Sequence, residues 1–234
     1  MTKNIKKIPE LIRLPACMIR DEFINYGRRY NAKNFVETGT HLGATCLHIA
    51  AYGHFSNIFS VELGKEYCSF LEKNFSQHAK KANIDVSNVK MWGGDSALML
   101  PQMLDLLNDR CVFWLDAHIS GGSTVGNRDY ETPIIKELNV IAAHSIKDHV
   151  IIIDDIQGCF ESNNSWPDIR EVTDIIKSIN KDYLITIKYG ILFAEVPGVV
   201  HHPTAAELDA YYAKYMYEVS HSKDMTANQD ENNA

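Results

Sequence analysis

The sequence has no paired cysteines, no long apolar run and no basic cluster, and each absence removes a class of protein. Its five cysteines (Cys17, Cys46, Cys68, Cys111, Cys159) are scattered, odd in number and never spaced as C-x-x-C. That pattern fits reduced thiols better than a disulfide frame or a zinc knuckle. The longest uncharged apolar stretches run to about five residues, against the ~20 needed to span a bilayer. The N-terminus, MTKNIKKIPELIRL, carries lysines but no apolar core followed by a cleavage site, so no signal peptide is expected. Lys and Arg number 23 against 30 Asp and Glu, a formal charge of −7, and the cations are not clustered. Non-specific nucleic-acid binding needs clustered Lys/Arg to neutralise phosphates and is excluded. G-x-S-x-G, a Walker loop and HExxH are also missing. The expectation is a cytoplasmic protein with a small-molecule partner, at most a second copy of itself, and neither nucleic acid nor membrane.

What is present is a chain of 234 residues, 45% apolar, enough for one domain with a short appendage. Short runs rich in β-branched and aromatic residues fall at Asn34–Glu37, Ile58–Glu62, Val89–Trp92, Cys111–Leu115 and Val150–Ile153. Segments with helical spacing separate them, at Ala44–Tyr52, Glu66–Ala79, Ala97–Leu107 and Pro133–Ala143. Continuous apolar strands such as VIII (150–153) imply burial on both faces, hence a parallel sheet under helices. The alternation predicts a doubly wound, Rossmann-like α/β sheet. After a helix near Pro167–Ile179, the runs YLITI (183–187) and ILFAEV (191–196) are separated only by Lys188, Tyr189 and Gly190. That gap cannot hold a crossover helix, so the two strands pair antiparallel. The chain divides into a helical lead-in (1–29, with a helix at Ile19–Tyr26), the main domain (30–199) and a C-terminal helix and flexible tail (200–234).

The segment FVETGTHLGAT (35–45) is a strand, a glycine-bearing turn and the start of a helix. Gly39 permits a tight turn and lets a ligand approach bare backbone; Gly43 lets the helix pack close, with its free N–H groups at the ligand. Glu62 closes the second strand 25 residues after Glu37, where an acid can hydrogen-bond both ribose hydroxyls of an adenosine. Asp95, in MWGGDS, is placed to reach an adenine edge with Ser96. Charge selects among adenosyl cofactors. A dinucleotide lays an anionic pyrophosphate over this turn and prefers G-x-G-x-x-G, which is absent. Glu37 repels a pyrophosphate and attracts an ammonium or sulfonium. At ~4–5 Å and an effective dielectric near 20 that sign is worth roughly 3–4 kcal/mol before desolvation.

The succession FVETGTHLGAT, SVE, GGDS and FWLDAH resembles the motifs of class I S-adenosylmethionine-dependent methyltransferases, over roughly residues 30–197. The resemblance implies a seven-stranded sheet of order 3-2-1-4-5-7-6 with the last strand antiparallel. It also implies that Glu37, Gly39 and Gly43 line the methionine moiety of S-adenosyl-L-methionine, Glu62 the ribose and Asp95 the adenine. His41 stands where many members have glycine.

In that order the fourth and fifth strands are neighbours, about 4.8 Å apart. Asp116 ends one (CVFWLD) and Asp154 and Asp155 end the other (VIIIDD), so their carboxylates crowd one spot. Crowded carboxylates raise one another's pKa unless a cation neutralises them, and a hard divalent ion such as Mg²⁺ takes such oxygen ligands. The arrangement resembles metal-dependent O-methyltransferases of the macrocin and catechol type, although FWLDAHISGG departs from the catechol enzymes. His118, two residues past Asp116, is a candidate general base. The loop Ile119–Thr132, with three glycines, reads as a lid or binding loop; its Arg128 is suited to an acidic acceptor. Trp166 and Pro167 read as core. The expected activity is methyl transfer to a hydroxyl of a sugar-like or natural-product-like small molecule. The rivals are an NAD(P)-dependent oxidoreductase on a Rossmann fold and a non-catalytic adenosyl-binding module.

Overall fold

The computed structural model describes residues 16–118, 132–160 and 166–198. The expected C-terminal helix and the Ile119–Thr132 loop, except Thr132, lie outside the described residues. Seven strands, β1 (Asn34–Thr38), β2 (Asn57–Glu62), β3 (Val89–Gly93), β4 (Cys111–Leu115), β5 (Val150–Ile153), β6 (Leu184–Lys188) and β7 (Ile191–Glu195), form one sheet. Its order is β3-β2-β1-β4-β5-β7-β6, as the resemblance implied. Strands β3 through β5 pair parallel, and β7 runs antiparallel to both β5 and β6.

Among the described residues six α-helices cover the sheet: α1 (Ala16–Arg29), α2 (Ala44–Tyr52), α3 (Lys65–Lys81), α4 (Ser96–Leu104), α5 (Ile134–Ala143) and α6 (Ile169–Ile179). Alternate strand residues feed two cores because both sheet faces are covered. Val36, Phe113, Leu115, Ile151 and Ile153 pack with α4, α5 and α6. Phe35, Val112, Trp114, Val150 and Ile152 pack with α1, α2 and α3. The lead-in helix α1 belongs to this second core: Phe23 is fully buried, with its ring 4.8 Å from Trp114. Among the described residues no helix is long and apolar enough to cross a membrane.

The strands begin in a polar network. Asn34 Nδ2 donates to the Asp109 carbonyl at 3.0 Å, and Asn57 Nδ2 donates to Asn34 Oδ1 at 2.8 Å. Arg110 ties the Tyr30 carbonyl (2.6 Å) to the Asp148 carboxylate. The fully buried His149 accepts the Cys111 N–H at Nδ1 and faces His144 Nδ1 through Nε2, each at 3.0 Å, while Tyr183 donates to its carbonyl. The opposite end of the sheet is built differently.

Candidate active site

Register brings the expected residues together at the carboxyl ends of the strands. Thr38 pairs with Val61 and Leu115, and Leu115 pairs with Ile153. The next residues, Gly39, Asp116 and Asp154, therefore stand side by side. The Asp116 N–H donates to the Thr38 carbonyl at 3.0 Å and the Asp154 N–H to the Leu115 carbonyl at 3.1 Å. Gly39 turns at φ +88°, and a Cβ there would lie 2.5 Å from the Asp116 carbonyl oxygen, so only glycine fits.

Glu37 is buried on β1. Its Oε2 accepts from Ser60 Oγ at 2.7 Å and Cys46 Sγ at 3.3 Å. Burial pushes its carboxyl up to about 7, although hydrogen bonds from Ser60, Cys46 and Thr45 and the positive charge of Arg20 pull the other way. Arg20 comes from α1 and reaches Thr45 Oγ1 at 3.4 Å. Sequence reasoning did not connect that helix with the turn, because nothing local marks an arginine 17 residues upstream.

Glu62 and Asp95 each hold backbone N–H groups at the carboxyl ends of the strands. Glu62 accepts from the His41 N–H at Oε2 and the Gly64 N–H at Oε1, each at 2.7 Å. Each oxygen keeps a second lone pair for a ligand hydroxyl. The His41 ring lies tilted against Tyr67, centroids 4.6 Å apart, and its φ of +50° is part of the turn. Asp95 caps α4 by accepting from Ala97 N at 2.9 Å, beside the buried Ser96.

Around Asp116 the acids crowd as expected. Burial first, then the charges of Asp154, Glu37 and Asp155, hold its carboxyl well above the usual range. His118 is brought into the cluster: Nδ1 lies 3.4 Å from Asp116 Oδ1 and Nε2 lies 2.8 Å from Asp155 Oδ2. Asp155 Oδ1 accepts from Gln157 Nε2 at 2.7 Å. Both oxygens of Asp155 thus already hold protein donors. Among the described residues no three His, Cys, Asp or Glu side chains gather as a metal donor set. The expected divalent cation is not shown by this arrangement.

Glu137 was not anticipated. It lies on α5, fully buried, and neither carboxylate oxygen has a hydrogen-bond partner among the described residues. Burial and Asp95 push its pKa up to about 7, against the opposing pull of the Ser96 and Thr38 hydroxyls and His118. It therefore belongs to the same polar floor beneath β1 and the start of α4. The signal was readable: Ile134, Leu138 and Ile141 form the buried stripe, and Glu137 falls within it at helical spacing.

No sequence-family model matches the chain, and no curated protein matches it in sequence. Solved structures do match its shape. The O-methyltransferase TomG from Streptomyces achromogenes, involved in tomaymycin synthesis and in complex with SAM, superposes with TM-score 0.53 at 14% identity, over 82% of this chain and 84% of that one. An O-methyltransferase from Bacillus cereus in complex with SAH gives TM-score 0.52 at 18% identity, over 78% and 84%. The SAH-bound Podospora anserina methyltransferase PaMTH1 gives 0.50 at 13%, over 81% and 82%. These likenesses establish the fold: a class I methyltransferase sheet with its reversed last strand.

Proposed function

We propose that the chain is an S-adenosylmethionine-dependent methyltransferase acting on a hydroxyl of a small molecule. The observation that carries this reading is Glu37, a buried acid at the foot of a glycine turn, pushed up to about 7 by burial. A cationic guest restores its charge, whereas a pyrophosphate opposes it. The bound cofactor supplies an electrophilic methyl group on a sulfonium. Glu37 and the bare backbone of Gly39 orient its amino-acid end, Glu62 its ribose, and Asp95 with Ser96 its adenine. Asp116 faces the place where the acceptor enters, and His118 beside it takes the hydroxyl proton. Oxygen as the acceptor atom draws support from the O-methyltransferases among the structural neighbours, TomG and the Bacillus cereus protein included.

We read the acceptor as one with apolar surface, more natural-product-like than sugar-like, from three exposed apolar side chains. Leu42, Leu98 and Phe160, on the segments that follow β1, β3 and β5, are 45%, 65% and 50% exposed.

Thermal unfolding with candidate cofactors tests the reading. S-adenosylhomocysteine at about 100 times its Kd adds ~2.7 kcal/mol, a rise in Tm of roughly 5–10 °C for a domain this size. NAD(H) is expected to leave Tm unchanged. A shift with NAD(H) and none with sulfur-adenosyl compounds would establish the oxidoreductase instead.

A further inference from the structure

The sheet has two edges, and they are finished differently. At one edge β3 carries the exposed Lys90 and closes on Gly93 and Gly94, features that blunt pairing with another strand. At the other edge β6 (LITIK) has neither proline nor glycine and keeps charge to its last residue. Leu184 on one face, with Ile187 and the adjoining Tyr189 on the other, are 49%, 42% and 40% exposed, so both faces show apolar surface at the rim. Among the described residues nothing pairs with the outer side of this strand.

The backbone on that side is complementary to itself. Tyr189 (φ +59°) and Gly190 (φ +80°) make a two-residue hairpin turn, and Lys188 pairs with Ile191 across it. The pair flanking such a turn exchanges both N–H···O bonds, and bonded and non-bonded pairs alternate along the ladder. Leu184, Thr186 and Lys188 therefore aim their peptide groups at β7, while Ile185 and Ile187 aim theirs outward. The Tyr183 carbonyl, next on the outward side, is already taken by Lys177. The open ladder has Thr186 at its centre. A second β6, laid antiparallel across a two-fold axis at Thr186, places Ile185 opposite the partner's Ile187. Each such pair exchanges two hydrogen bonds, and the outward groups of both strands are satisfied. The hairpin is held in place beforehand, because the Ile156 N–H donates to the Gly190 carbonyl at 2.9 Å.

The side chains agree with the same register. Thr186 meets the partner's Thr186 in the close, non-bonded pair, a favourable cross-strand match. Ile185 and the partner's Ile187 share one face. On the other face Lys188, whose ammonium lies over the Phe193 ring at 4.6 Å, comes diagonal to the partner's Asp182. Diagonal neighbours stand about 7–8 Å apart, within reach of a long side chain, and Asp182 is exposed. Two Lys–Asp pairs of opposite charge therefore flank the axis, and no like charges stand opposite each other.

We propose that β6 is a self-association surface, through which two copies of this chain join edge to edge by an antiparallel β6 pair centred on Thr186. The proposal does not depend on the methyl-transfer reading. Such an interface is narrow against the ~1,200–2,000 Å² that a stable complex buries. The association is therefore reversible, with a Kd of about 1–100 µM.

The full chain is tested by sedimentation velocity from about 1 µM to about 0.5 mM, and by amide hydrogen exchange at both limits. The wild type is expected to pass from monomer to dimer. The amides of Ile185 and Ile187 are expected to exchange about threefold or more slower at the high concentration, and that of Thr186, already bonded to β7, to change less. Thr186→Lys sets like charges opposite each other at the axis, and Ile187→Pro deletes an outward donor while sparing the bonds to β7. Each is expected to weaken association about tenfold or more. Asp182→Lys and Lys188→Asp, at exposed positions, keep the test open should either of those variants fail to fold. Each alone is expected to weaken association about threefold, and the two together to restore it. A wild type still monomeric at the high concentration would overturn the proposal, whatever else then covers the edge. So would a dimer indifferent to these substitutions, or one that forms with no added protection at Ile185 and Ile187.

Discussion

The two ends of the sheet treat buried ionisable groups in opposite ways. At the amino ends, charge is matched within the protein: Arg110 meets Asp148, and the neutral His149 accepts a backbone N–H and meets His144. At the carboxyl ends, Glu37, Asp116 and Glu137 are acids held above their ordinary pKa chiefly by burial, and Glu137 has no hydrogen-bond partner among the described residues. An unsatisfied buried polar group costs about 1–3 kcal/mol. The chain bears that cost at both ends, at Arg110 Nε as well as at Glu137, but only the carboxyl ends gather several acids where open α/β sheets usually take ligands. In charge one end is finished; the other, with its acids held above their usual range, is left unfinished.

The sharpest way to break the contrast is to fill the turn at the unfinished end. Gly39→Val places a Cβ 2.5 Å from the Asp116 carbonyl oxygen at φ +88°. Backbone cannot give way there without separating β1 from β4, so a loss of about 4 kcal/mol or more is expected. Urea denaturation measures it. A loss under ~1 kcal/mol would show that the turn is not held against Asp116.

A smaller effect is expected at the finished end. Burial, helped by the positive charges around it, brings the His149 pKa down to about 3. The unfolded chain takes up a proton near pH 6.5 that the native state refuses. Stability contributed by the neutral ring is present above that value and is lost as pH falls toward 3. His149→Gln removes the acceptor for the Cys111 N–H and leaves a void beside Phe113, whose ring lies 5.1 Å away. It is expected to lose about 2–3 kcal/mol at pH 7. Between pH 6.5 and 4 it is expected to lose less further stability than the wild type does. Parallel stability curves for the two proteins would contradict this account of the amino end.

The same contrast explains what the sequence made legible. Strand and helix periodicity, the glycine turn and the spacing of Glu37, Glu62, Asp95 and Asp116 are local patterns, and the elements appear within a few residues of their expected limits. The short 188–190 connection announced the reversed strand for a simple steric reason. What sequence hid was side-chain partnership across the fold. Asp155 was read beside Asp116 as a metal ligand; its contacts with His118, and with Gln157 in the turn that follows it, could not be read from spacing. Glu62 and Asp95 were read as facing a ligand; in the structure Glu62 fastens the β1 turn at His41 and its own loop at Gly64, and Asp95 caps α4. Arg20 and Glu137 join the site only because α1 and α5 pack against it, and no one-dimensional spacing records that packing.

Glu137 gives the smallest predicted effect and the most informative one, because its sign depends on pH. Its carboxyl titrates near 7 in the folded chain against an ordinary value of 4.5. The native state therefore binds more protons than the unfolded state between these values. The stability linked to its neutral form is fully present below pH 4.5 and drains away as pH rises through 7. The full difference is on the order of 3 kcal/mol. Glu137→Gln keeps the shape without the charge. It is expected to stabilise the free protein by about 1–3 kcal/mol at pH 8 and to change it by less than about 1 kcal/mol at pH 5, read from denaturant curves at both values. A gain of equal size at both would place the effect in packing rather than ionisation. If the gain at pH 8 comes with weaker S-adenosylhomocysteine binding, the strain at this end serves the ligand, as expected where function and stability compete.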